Sequence, residues 1–193
     1  MQLTEFTKYW QTRYPEALPI NYELKTVYPD RWFRIHSLPE SKRYAESESE
    51  YQIILERQNT LINDLIGDNT EIIISFGLYT DDLSNDNYKE LTDFGEFVKV
   101  QTIDLKKERP EENEHELFFD IYIKIDHWKS NSKDEILKAI ADDEIRAMFI
   151  CPTSDYIIAP YDGGADIIVD SIEKRDELKL KYKDWLSERE DGL

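Results

Sequence analysis

Arg31, Arg34, Lys42 and Arg43 crowd into the stretch 31–44 against a single carboxylate, Glu40. Guanidinium groups bind carboxylates and phosphates through paired hydrogen bonds, so this stretch has the makings of a pocket for a small oxyanion. On an extended strand, side chains two apart share a face, which puts Arg34 beside His36. His36 could then serve as acid or base near neutral pH. Ser37, Ser41 and Tyr44 offer hydroxyl donors nearby. The expected ligand-binding set is therefore Arg31, Arg34, His36, Lys42 and Arg43. The competing expectation is that these cations pair with the chain's own carboxylates, because charge clusters are often structural networks.

Other constellations carry less chemistry. Asp162 and Asp166 flank Gly163 and Gly164 in Pro160–Asp166. Two carboxylates alone make a poor site for a hard cation, and the segment reads more simply as a hairpin turn, with glycine supplying positive φ. The loop Asp81–Asn87 is acidic but lacks the central glycine and spacing of a calcium loop. His36, His115 and His127 show no zinc spacing to one another or to Cys151, and His127 beside Trp128 reads as a packing residue. Cys151, the only cysteine, lies in an apolar run and reads as a buried thiol. There is no phosphate-cradling glycine loop, nucleophile elbow or dinucleotide fingerprint. No catalytic residue, metal or cofactor is expected.

The charge points outward to partners. The formal net charge is −18, which repels nucleic acid and anionic membrane and suits a basic protein partner. The first 45 residues hold seven Lys or Arg against five Asp or Glu, so the surplus of negative charge belongs to residues 46–193. Two functions are open on this reading. One is a non-enzymatic, immunity-like interaction protein steered onto a basic partner. The other is a binder or enzyme for a small phosphate or carboxylate held by segment 31–44. With one cysteine and no signal-like start, a cytoplasmic setting is expected.

The elements that must position these residues follow from periodicity. Leu3, Phe6 and Trp10 mark an N-terminal helix that Pro15 ends, and residues 15–45 read as irregular with a strand at Trp32–His36. Ser47 and Glu50 have capping-box spacing before a helix with core positions Tyr51, Ile54, Leu55, Gln58, Leu61, Ile62 and Leu65. Arg57 and Asn59 fall off that stripe, and Gly67 closes the helix. Strands are expected at 72–76, 97–103, 117–125, 147–151, 156–161 and 165–169. The alternation of Leu117, Phe119, Ile121, Ile123 and Ile125 with Phe118, Asp120, Tyr122 and Lys124 predicts one face on the core and one towards water. Short helices should begin at Ser132 and Asp170, the second presenting Leu178, Tyr182, Trp185 and Leu186. The expectation is a single α+β domain over 1–193, with a mostly antiparallel sheet of five to six strands, helices packed on it and a frayed tail at 187–193.

The segments Phe33–Ala45, Tyr161–Asp166 and Tyr182–Ser187 resemble small bacterial proteins of a domain-of-unknown-function family. That family has a strand, a Tyr-Asp-Asp-Arg-Gly-x-Asp turn, a second strand and a helix ending near a Trp. Here Gly163 and Gly164 stand in place of the turn's charged Asp-Arg pair. The resemblance implies a bacterial cytoplasmic protein and brings no activity with it.

Overall fold

The computed structural model describes residues 3–81, 91, 93–112, 115–187 and 189. Helix α1 spans Leu3–Arg13. Phe6 and Trp10, one turn apart, are buried on its inner face. The Trp10 indole N–H donates to Ala17 O at 2.7 Å, folding the following segment back on the helix. A four-residue helix, α2 (Leu24–Val27), leads to strand β1 (Trp32–His36).

The long helix α3 spans Glu48–Ile66. Ser47 Oγ accepts from the Glu50 N–H at its start, satisfying one of the otherwise unpaired amides there. Gly67, at φ 83°, closes it in a backbone region open chiefly to glycine. The remaining elements are β2 (Glu71–Thr80), β3 (Val98–Asp104), α4 (Leu105–Glu108), β4 (Phe118–His127), α5 (Asp134–Ala141), β5 (Ala147–Cys151), β6 (Tyr156–Tyr161), β7 (Gly164–Ile168) and α6 (Ile172–Lys181).

The fold is α+β: the described residues form one sheet of seven strands in the order β1-β7-β6-β5-β2-β4-β3, every neighbouring pair antiparallel. The strand number exceeds the expected five to six. Short β1 enters the sheet only by pairing with β7, more than a hundred residues later, and no local pattern marks such a pairing.

Both faces of the sheet are covered. Ile72, Ile74 and Phe76 of β2 pack with Leu61, Leu65, Ile136 and Leu178 from α3, α5 and α6. On the other face Ile73, Ile121, Ile150 and Ile168 pack with Phe6 and Trp10 of α1 and Leu24 of α2. The expectation that one face of β4 meets water is therefore corrected: Asp120 and Tyr122 are both buried. Asp120 is tolerated there because it accepts from Lys99 Nζ at 2.7 Å and from the Thr102 hydroxyl.

Several local expectations also change. Ser132 bonds the Lys129 carbonyl instead of capping α5. Ser171, not Asp170, caps α6 by accepting from the Lys174 N–H. Asn59 is buried, joining the Leu55 carbonyl, Asp134 and the Asn131 N–H. His127 is exposed, and Trp128 does the packing. Cys151 is a buried free thiol, as expected. The calcium-like loop lies, from Asp82 onward, outside the described residues, as does the tail apart from Ser187 and Arg189. No helix among the described residues is long and apolar enough to cross a membrane.

Candidate functional site

The end of β1 is where the sequence-predicted residues gather, and the structure divides them. Arg34 lies directly across the antiparallel ladder from Asp166 of β7, a spacing that lets cross-strand side chains meet. Its Nε and one terminal nitrogen donate to the two Asp166 oxygens at 2.7 and 2.8 Å. The Trp32 indole N–H donates to the same carboxylate at 2.9 Å. Arg34 also lies over the Tyr161 ring, 4.6 Å from its centroid. Burial pushes the Tyr161 hydroxyl up to about 12, although Arg34 opposes this, so Tyr161 stays neutral in this network.

The other cations go elsewhere. Arg43 Nε donates to buried Asp162 at 2.5 Å, while Lys42 reaches Glu50 at 2.6 Å and Glu46 at 3.0 Å. Arg31 lies over the Tyr28 ring. Asp162 and Asp166 thus serve separate arginines. Among the described residues no group of three His, Cys, Asp or Glu comes together that could hold a metal. Arg34 and His36 share the α1-facing side of β1, and His36 Nε2 is buried without a hydrogen-bond partner. Burial, then the charge of Arg34, lowers the His36 pKa, so its neutral form is favoured.

The hairpin between β6 and β7 turns at Asp162–Gly163. Neither Gly163 nor Gly164 has positive φ, so the expected reason for the glycines is replaced by a steric one. A Cβ on Gly164 would stand 1.9 Å from the Ile35 carbonyl oxygen, and one on Gly163 would meet the Tyr161 ring at 2.8 Å. The hairpin can lie this close to β1 only without side chains there. Gln58 of α3 locks the same corner, donating to Ser37 Oγ at 2.9 Å and to Gly164 O at 3.1 Å.

On the α3 side of this corner opens a cleft of about 600 Å³, lined by His36, Glu40, Ser41, Arg57, Trp185 and Arg189 among others. Arg57 projects from α3 and donates to the His36 carbonyl at 2.9 Å, its guanidinium 5.3 Å from the Trp185 ring centroid. It makes no ion pair among the described residues. Burial lowers its pKa, with Glu56 opposing, yet a guanidinium keeps its charge. Helix geometry explains the isolation. Positions three and four residues away are Ile53, Ile54, Thr60 and Leu61, none acidic. Across the cleft, Glu40 and Ser41 are held at φ 56° and 55°. Consecutive left-handed residues other than glycine cost about 1–3 kcal/mol each and tend to gather at functional sites.

Charge clustering in sequence did not single out Arg57. One signal was available: it is the only cation in the nineteen-residue helix α3. A second polar groove of about 410 Å³ lies on α3 between Gln52, Asn63 and the Ser130–Asp134 turn. There Asn59 is bonded to Asp134, and Asp64 to Lys181 and Tyr182.

No curated protein and no solved structure matches the chain. The family model described as "Domain of unknown function (DUF3885)" matches residues 20–190, which include β1, α3 and the C-terminal turn that frame the cleft, so the chain belongs to that family.

Proposed function

We propose that this domain binds a small carboxylate or phosphate in the cleft beside β1, with Arg57 as the group that holds the anion and Trp185 as a wall. The observation that carries this reading is Arg57 itself. The chain has eighteen more carboxylates than Lys and Arg, yet this half-buried guanidinium has none of them as an ion-pair partner among the described residues. A desolvated charge left unpaired is costly, and an incoming anion would supply two charge-assisted hydrogen bonds. The site keeps the expected chemistry of segment 31–44 but uses its far end. His36, Ser41 and the turn between them frame the cleft, while Arg34, Lys42 and Arg43 are engaged by Asp166, Glu46, Glu50 and Asp162. The role is binding, not catalysis.

Isothermal titration with inorganic phosphate, succinate and acetate tests this. At least one should bind the wild-type chain, and Arg57→Gln should lose it while Arg43→Gln keeps it. Absence of binding by every carboxylate and phosphate, α-amino acids included, or binding that survives Arg57→Gln, would sink the proposal.

The immunity-like reading is favoured by a separate observation. The described ion pairs tie up most of the Lys and Arg, for example Lys99 with Asp120 and Arg109 with Glu23, so the surplus carboxylates are left to face solvent or a basic partner. Pull-down from a native lysate at low salt should recover a basic protein that high salt releases. We place both readings in a bacterial cytoplasm without nucleic-acid or membrane partners, in keeping with the resemblance of the Tyr161–Asp166 turn.

A further inference from the structure

The cleft that holds Arg57 is lined by carboxylates as well. Glu40 stands on the strained turn after β1, and Asp184 on the C-terminal turn beside Trp185. Both are exposed, and neither forms an ion pair among the described residues. Arg57, Glu40 and Asp184 therefore share one cleft, with Arg189 also in its lining, and form no ion pair with one another among the described residues. A site for a bare anion gains nothing from two free carboxylates at its rim, because they would repel the ligand. They fit a ligand that is positive at one end and negative at the other. The volume, about 600 Å³, lies in the range that encloses an organic molecule and far exceeds a single phosphate or acetate. Trp185, stacked on Tyr182 and beside Arg57, contributes apolar ring surface to the lining for its carbon skeleton. Glu40 and Ser41 keep left-handed backbone there, a cost that persists only where the surrounding structure imposes the turn.

We propose that the ligand is a zwitterion of the α-amino-acid class, its carboxylate held by Arg57 and its ammonium by Glu40 and Asp184. This rests on the anion-binding reading above and narrows it. Discrimination comes from the need for both charges. A ligand lacking the ammonium leaves the rim carboxylates unanswered, and one lacking the carboxylate meets the Arg57 guanidinium.

Titration calorimetry on the full chain tests it with free α-amino acids, their N-acetyl derivatives and their α-amides. At least one free amino acid should bind, with both of its derivatives weaker by about tenfold or more, the loss of one charged contact. Combined Glu40→Gln and Asp184→Asn should weaken the free amino acid by about tenfold and leave the N-acetyl derivative bound as well or better, its repulsion by the rim removed. Arg57→Gln should abolish binding of both, with thermal unfolding confirming that each variant is folded and Arg57→Lys as a charge-keeping control. If the N-acetyl derivative binds as well as the free amino acid, or phosphate and succinate bind and no amino acid does, the zwitterion is overturned while the anion site stands. If α-amides bind as well as free amino acids, or nothing binds, both proposals fall.

Discussion

Arg34 lies on the α1 side of β1, held by both oxygens of Asp166, whereas Arg57 reaches the end of the same strand from α3 and finds a backbone carbonyl. The partner of each was set by a different geometry. Cross-strand register placed Asp166 opposite Arg34. Helical periodicity gave Arg57 only uncharged neighbours one turn away. The contrast teaches that a dense run of cations is weak evidence for a ligand site in an acidic chain. A solitary cation that the fold leaves half-buried without a carboxylate is stronger evidence.

Stability measurements can break this contrast. Arg34→Ala removes one partner from a pair that is mostly shielded from solvent and strands the other, so a loss of about 3–5 kcal/mol is expected in urea unfolding. A loss below about 1 kcal/mol would show that the Arg34–Asp166 network is not structural. Gly164→Ala should cost about 2–3 kcal/mol, because its Cβ would collide with the Ile35 carbonyl and push β1 from β7. Unchanged stability would remove the steric account of this corner. Arg57→Gln should shift stability by less than about 1 kcal/mol, since no carboxylate is stranded. A loss as large as that of Arg34→Ala would make Arg57 structural and erase the distinction.

The smallest effect is on pH dependence. The folded His36 pKa is lowered from its ordinary 6.5 by burial and by Arg34. The unfolded chain therefore binds the proton more readily, and stability rises with pH across this window. Its contribution is complete above pH 6.5 and is lost as pH falls through the folded value. Between neutral and mildly acidic pH, the unfolding free energy of wild type should fall relative to that of His36→Gln as the pH drops. Parallel curves would place His36 in a solvent-like environment.

Much of the scaffold was legible locally. The turn-by-turn spacing of Phe6 and Trp10, the Ser47 cap, the Gly67 stop and the β-branched runs of β2 and β5 are signals over a few residues, and each element formed where they fall. The bounds of β2 ran longer because pairing with β4 continues to Thr80, past the apolar run. The fate of β4 was not legible. Alternation announces two different faces, but whether the polar one meets water depends on what other segments lay over it.

What the sequence determined alone was the longer helices and most strands, the cation-rich stretch, the turn at Asp162–Gly163 and the surplus of negative charge, all properties of neighbours along the chain. Tertiary structure alone decided which charges cancel. Asp166 reaches Arg34 across 132 positions, Asp162 reaches Arg43 across 119, and Glu40, Arg57 and Asp184 meet around one cleft. The reason is that electrostatic partnership falls with distance in space, and only strand register and helix packing turn distance along the chain into distance in space.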